Sequence, residues 1–155
     1  MRKLFLLFFL FTLVSLKTGD EFSLKQTKHC EVNNQIIQDK AKVLKRSSDL
    51  ETAKNIFHFV QYNINYERYS NTKKGALNTL TAKKGNCADQ AHLLVALFRA
   101  AGIPARYAHG INHYWTQCYA NDRVYDCDPT SRKHSFGKRD NDGKKVLSHF
   151  IELKY

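Results

Sequence analysis

Lys83-Lys84-Gly85-Asn86-Cys87-Ala88-Asp89, followed by Gln90-Ala91-His92-Leu93-Leu94-Val95-Ala96-Leu97-Phe98-Arg99-Ala100-Ala101 and closed by Gly102-Ile103-Pro104, decides the fold. A polar turn containing glycine runs straight into a long apolar helix pattern. Asn86 is a good N-cap with Asp89 three residues on, so Cys87 takes the first helical position. Ala, Leu and Val dominate to Ala101. Gly102 supplies the left-handed stop, and Ile103-Pro104 prevents continuation. At ~100° per residue, Cys87, Ala91, Leu94 and Phe98 fall on one stripe that must be buried against another element. His92 is rotated roughly 140° from Cys87 and falls near Arg99. It is read as a surface or structural residue on the polar face.

A thiol on the first turn of a helix faces free backbone N–H groups and the positive end of the helix dipole. Both favour the thiolate, the nucleophilic form. Asp89 acts the other way, because a nearby negative charge raises a thiol pKa.

Three strand-like segments follow: Ala105 to His109, His113 to Ala120 and Arg123 to Asp128. Asn121-Asp122 between the last two is a tight-turn signal. A two-residue loop pairs Ala120 with Arg123, Gln117 with Asp126 and Trp115 with Asp128. His113, Trp115 and Gln117 then share one face with Asp126 and Asp128. Asp128 becomes the diagonal neighbour of His113 at about 7 Å, within side-chain reach. Asp126 lies one pair further, so Asp128 is the expected partner of the imidazole. The opposite face carries Thr116, Cys118, Tyr125 and Cys127. Cys118 and Cys127 come out diagonal, poor geometry for a disulfide, and read as buried thiols. His109 competes with His113 but lacks the face shared with Asp128. For His134 and His149 the pattern offers no partner.

Upstream, residues 20–34 are polar and read as loosely held. Gln35 to Lys45 reads as a short helix. Ser48 followed by Glu51 is a capping-box signal that opens a helix from Asp49 to about Tyr62. Asn71 to Lys84 reads as loop, with one turn of helix at Ala76 to Leu80.

The chain has 155 residues, the size of one domain, and a hydrophobic fraction of 43%. Its formal net charge is +11, with basic pairs at Lys73-Lys74, Lys83-Lys84, Arg132-Lys133, Lys138-Arg139 and Lys144-Lys145. An acidic polymer is the natural partner of such a surface. The long aromatic-and-basic stretch of single-strand binders is missing, which makes nucleic acid the weaker option. Met1-Arg2-Lys3 and the apolar run Leu4 to Leu16 fit a secretory signal or a membrane tether over residues 1–19, and hence a secreted or membrane-anchored domain spanning 20–155. Cys30, Cys87, Cys118 and Cys127 show no zinc-type spacing, and no cofactor or metal is expected.

Folding the helix stripe onto the hairpin brings Cys87 to His113, with Asp128 behind. His113 takes the thiol proton, and Asp128 fixes the imidazole tautomer and stabilises its charge. Such a thiolate attacks a carbonyl and forms an acyl-enzyme, which water or another amine resolves. The N–H of Cys87 is one oxyanion donor, and the loop before the helix is expected to give a second. The alternatives are amine transfer, which forms cross-links, and a wall-binding module with a degenerate site.

Gly85-Asn86-Cys87-Ala88-Asp89, Arg99-Ala100-Ala101-Gly102-Ile103-Pro104-Ala105-Arg106-Tyr107, His113-Tyr114-Trp115 and Asp126-Cys127-Asp128-Pro129-Thr130 together resemble the transglutaminase-like superfamily over roughly residues 50–150. The resemblance implies an α+β, papain-like core of a Cys-bearing helix packed on an antiparallel sheet. It also implies Cys87 as nucleophile, His113 as base and Asp128 as orienting residue. A closer likeness is to the pseudomurein endoisopeptidases of methanogenic archaea and their viruses. It is carried by Tyr69-Ser70-Asn71-Thr72-Lys73-Lys74-Gly75-Ala76, Arg106-Tyr107-Ala108-His109-Gly110 and Ser131-Arg132 with Ser135-Phe136-Gly137. It implies cleavage of the amide between a stem-peptide alanine and a lysine side chain in an acidic wall. One departure is that only Gly110-Ile111-Asn112 precedes His113, where those enzymes are expected to carry a longer substrate-side loop.

Overall fold

A computed structural model of the chain describes residues 22–138 and 146–153. The expected leader at residues 1–19 lies outside them. Among the described residues, no helix is long and apolar enough to cross a membrane.

Local chemistry sets the helix boundaries. The Asn34 side chain accepts from Ile36 N–H and opens α1 (Gln35–Leu44). Ser48 accepts from Glu51 N–H and opens α2 (Asp49–Asn63), as the capping signal predicts. A short strand β1 (Asn65–Tyr66) leads to α3 (Gly75–Ala82). The sequence reading gave this region a single turn, yet it forms a full short helix. Gly75, at φ +68°, turns the chain into it, and Lys83 ends it in a left-handed conformation at φ 54°. Strand β2 (Lys84–Gly85) pairs in parallel with β1 and delivers the chain to α4 (Cys87–Ala100). Asn86 caps α4 by accepting from Asp89 N–H, and Gly102 at φ +86° follows its end.

Four antiparallel strands complete the fold: β3 (Ala105–Gly110), β4 (His113–Ala120), β5 (Arg123–Cys127) and β6 (Ser148–Phe150), in the order β5-β4-β3-β6. Ala120 pairs with Arg123 and Gln117 with Asp126, the expected register. Asn121 and Asp122 both take positive φ, as a tight two-residue hairpin turn requires. The ladder stops at Thr116 opposite Cys127, so Asp128 lies just beyond β5. The architecture is the expected α+β arrangement of a Cys-bearing helix on an antiparallel sheet.

Three expectations need correction. The helix α4 has no polar outer face. Gln90, His92 and Arg99 are buried along with its Leu, Val and Phe residues, because α1, α2, α3 and the sheet surround it. Each polar side chain is accommodated by a specific bond: Gln90 Nε2 donates to Gly85 O, His92 Nδ1 meets the Tyr107 hydroxyl at 2.9 Å, and Arg99 donates to the carbonyls of Lys25, Ala105 and Ile151. Burial holds the His92 imidazole down to about 3, so it is a neutral structural group.

Second, α4 packs on the sheet face that carries Tyr107, Thr116, Cys118 and Cys127, with Thr116 Oγ1 donating to Ala91 O. That is the face opposite the one assigned to His113 and Trp115, so Cys87 reaches His113 past the end of the sheet. Third, the segment after residue 21 is packed rather than loose. Phe22, Cys30 and Val32 are buried, Ser23 bridges to Ala105, and Thr27 pairs with Cys30. All four cysteines are free thiols, and Cys118 and Cys127 are both buried, as read from their diagonal register.

Candidate active site

Cys87, His113 and Asp128 come together where the tip of α4 meets the start of β4. His113 Nε2 lies 2.6 Å from Asp128 Oδ2, which leaves Nδ1 as the nitrogen that faces the thiol. Cys87 is half-buried and hydrogen-bonds to His113 through its sulfur. The same sulfur accepts the backbone N–H of Tyr114 and that of Ala88.

The Tyr114 bond follows from register. Two-residue turns at Ile111-Asn112 and Asn121-Asp122 fix which backbone groups face which neighbour. In an antiparallel ladder these alternate, so Tyr114 N–H points away from β3, toward the side of β5. There β5 has already ended at Cys127, so no ladder carbonyl stands opposite Tyr114 N–H. Cys87 fills the vacated position with its sulfur.

The electrostatics separate charge within the group. Burial pushes the Cys87 thiol up, but the bonds from His113, Tyr114 and Ala88 outweigh it, and its pKa is lowered. Burial alone would lower His113, but Asp128 and Cys87 raise it to about 9. Burial raises Asp128, but the bonds from His113, His134 and Thr130 bring it well below the usual carboxylate range. These directions favour a thiolate, an imidazolium and a carboxylate in one row.

Asp128 is held from further sides that the sequence reading missed. Thr130 gives both its hydroxyl, at 2.6 Å, and its N–H to Oδ1. His134 Nδ1 lies 3.1 Å from the Asp128 carbonyl and 3.4 Å from Oδ2. The Asp-Pro-Thr run held the signal for Thr130, since a hydroxyl two residues after an aspartate readily bonds back to it. His134 left no such local signature. Asp126, the other acidic residue on this face, accepts from Trp115 Nε1 at 2.8 Å and from Gln117 Nε2 at 2.9 Å. His109 stacks on Tyr114 at 4.5 Å and lies beside the group, not in it.

Asp89 does not oppose the thiolate as the sequence suggested. It is fully buried and turned toward the loop after β1. It accepts from the hydroxyls of Tyr69 and Thr72 and from the N–H groups of Lys73, Lys74 and Gly75. Five donors stabilise its charge, and it is not among the largest influences on Cys87. The loop it holds walls a cleft of about 370 Å³ over Cys87, lined also by Tyr66, Tyr69, Asn71, His109, Asn112 and Tyr114. None of the residues lining that cleft is acidic. Asn86, which immediately precedes the thiol, donates its amide to the carbonyls of Tyr69 and Asn71. Its amide is therefore committed to the loop and faces no substrate.

Among the described residues, no cluster of His, Cys, Asp and Glu is arranged to hold a metal ion.

The family model of the transglutaminase-like superfamily matches residues 38–129. No curated protein matches the chain. Among solved structures, a candidate cysteine protease from Cytophaga hutchinsonii is similar at 28% identity and a TM-score of 0.62, covering 69% of this chain and 40% of its own. A candidate protease from Parabacteroides distasonis shares the fold at 15% identity and a TM-score of 0.55, over 67% of this chain and 24% of its own. A protein described as a TGase shares it at 14% identity and a TM-score of 0.52, over 76% of this chain and 37% of its own. The chain thus spans less than half the length of each of these structures. The match extends through the Cys87 helix, His113 and Asp128, and the chain belongs to the transglutaminase-like superfamily.

Proposed function

We propose that the protein is a cysteine-dependent hydrolase of an amide or isopeptide bond in cell-wall peptide of the pseudomurein kind, with Cys87 as nucleophile, His113 as proton carrier and Asp128 as orienting carboxylate. The observation that carries this reading is the 2.6 Å bond from His113 Nε2 to Asp128, which turns the other face of the ring to a thiol whose pKa is lowered. The thiolate attacks the carbonyl carbon. The C–N bond breaks as His113 gives its proton to the leaving amine. Water then attacks the thioester, passes a proton to His113, and releases the acid and the thiolate.

Cys87 N–H, at the first helical position, is one donor to the developing oxyanion. The sequence placed a second in the loop before the helix. Because the Asn86 amide is occupied, Tyr66 is the better candidate. It lines the cleft, the residue is 51% exposed, and its hydroxyl feels the charges of Cys87 and Asp128.

Water is favoured over an amine as the second substrate, because a cleft without acidic lining has nothing to recruit a protonated amine. The net charge of +11 supports an acidic wall as substrate, and the apolar run at Leu4 to Leu16 supports export to it. The test is incubation of the purified protein with pseudomurein, followed by mass spectrometry of released peptides. The expected result is new alanine carboxyl and lysine amino groups with the wild type and none with Cys87→Ala. Equal release by both proteins would remove the proposed nucleophile.

A further inference from the structure

We propose that His134, set in place by Gln61, is a positioning residue for Asp128 and through it for His113 and Cys87; this rests on the catalytic reading above. Asp128 needs such a support. It is the first residue beyond the last ladder pair of β5, and Pro129 follows it, so no strand bond holds its backbone. Thr130 and His113 fix its carboxylate. His134 Nδ1 holds its carbonyl at 3.1 Å and leans on Oδ2 at 3.4 Å. Both are acceptors, so Nδ1 carries the hydrogen and the tautomer is fixed.

The loop that carries His134 is itself tied down from α2. Gln61 Nε2 donates to the carbonyls of both Ser131 and His134 at 2.8 Å. Gln61 is 4% exposed, on a helix that also buries Thr52, Ala53, Ile56, Phe57 and Val60. A buried amide in that company is tolerated because its bonds are made: both Nε2 hydrogens go to this loop, and Oε1 meets His58 Nδ1 at 3.4 Å. Phe136 wedges the same loop between Phe57 and Tyr125, with ring centroids 5.9 and 5.1 Å apart. A path of contacts therefore runs from α2 through Gln61, His134, Asp128 and His113 to the sulfur. His134 thus holds both the backbone carbonyl of Asp128 and, more weakly, its carboxylate. A short bond such as His113 to Asp128 tolerates little displacement of either end.

The test is the pH dependence of Cys87 alkylation by iodoacetamide in the full chain, read by mass spectrometry of the Cys87 peptide, with thermal melts as a folding control. His134→Ala is expected to slow alkylation at neutral pH roughly three- to tenfold and to move the thiol inflection up toward 9. His134→Asn, whose side-chain N–H stands where Nδ1–H stood, is expected to regain most of the rate. Gln61→Met keeps the volume, removes both donors, and is expected to shift rate and inflection as His134→Ala does. It also carries the test if His134→Ala does not fold. Wild-type rate and inflection in both His134→Ala and Gln61→Met would overturn the inference and leave the catalytic reading standing. His134→Asn as impaired as His134→Ala would overturn it too, since ring bulk would then be what matters. A wild-type Cys87 that alkylates like an ordinary thiol would overturn both.

Discussion

The backbone N–H of Tyr114 is given to the sulfur of Cys87 rather than to a neighbouring strand. The position is open to the sulfur because β5 ends at Cys127, two pairs short of the place opposite Tyr114. It means that the sheet, and not only the helix tip, stabilises the thiolate. With His113 raised to about 9 and Cys87 lowered, both shifts favour the charged pair. The kcat/KM of amide cleavage is therefore expected to be bell-shaped. Its alkaline limb should lie near 9, where the imidazolium that protonates the leaving amine is lost. Its acid limb should lie below the ordinary thiol value of 9.0. A profile that still rises through the alkaline limb would contradict the ion pair.

Asp128→Asn removes the charge that holds His113 up. The imidazole is then expected to titrate back toward its ordinary 6.5, observable by NMR of its ring protons. The kcat should fall by about 10²- to 10⁴-fold, as for loss of an orienting carboxylate elsewhere. Stability should change its pH dependence as well. A folded pKa above the unfolded one stabilises fully below about 6.5, and that contribution is lost as pH rises through about 9. The lowered Cys87 thiol contributes with the opposite sign, so the effect is read in a Cys87→Ala background, which should lose stability across that interval and lose less once Asp128→Asn is added. Parallel denaturation curves at the two ends of the interval would count against the assignment.

Asp89→Ala leaves five donors facing a buried gap: two hydroxyls and three N–H groups. Stranding buried donors costs about 1–3 kcal/mol for each that water cannot reach. Urea denaturation should show a loss of that size. The loop from Tyr69 to Gly75, which forms one wall of the cleft, should become sensitive to protease. A loss within 0.5 kcal/mol, the ~±0.5 kcal/mol scatter of ordinary surface changes, would mean that the network carries little.

Tyr66→Phe separates oxyanion support from thiolate formation. Removing one such donor costs about 10²- to 10³-fold in kcat at buried sites, and a half-exposed phenol should fall at or below the lower end of that range. Alkylation of Cys87, which develops no oxyanion, should stay close to the wild-type rate. A variant that slows alkylation as much as cleavage would show that Tyr66 acts on the sulfur instead.

Much of this was written in local sequence. The Asn86 and Ser48 caps, the Gly102 stop and the Asn121-Asp122 turn each depend on a few adjacent residues, and the structure follows them. The hairpin register then fixed His113 against Asp128, because a strand period of two leaves little choice once the turn is known. What was hidden depended on distant partners. His92 and Arg99 look like a polar face until α1 and α3 close over them. Asp89 looks like a repulsive neighbour until five donors from 14 to 20 residues upstream surround it. His134 meets Asp128 only because Gln61, some 73 residues away, holds the loop by its carbonyl.

Gly85→Ala probes the turn that delivers Cys87 to the helix tip. Gly85 has no positive φ, so an added methyl brings contact rather than backbone strain. Its Cβ would stand 2.9 Å from Asp89 Cβ and 3.1 Å from Thr79 Cγ2. Neither neighbour can yield. Asp89 is anchored by the loop, and Thr79 Oγ1 is bonded to Gly75 O at 2.6 Å. Gly85 O is itself fixed, accepting from Glu67 N–H and Gln90 Nε2 at 3.0 Å each. Overpacking of this kind costs about 1–3 kcal/mol. Thr79→Ser deletes the Cγ2 methyl, so the double variant should recover part of that loss in a double-mutant cycle. Because the crowding lies two residues before the sulfur, Gly85→Ala should also slow Cys87 alkylation. Wild-type stability together with wild-type alkylation would mean that α3 and α4 separate more easily here than their close packing implies.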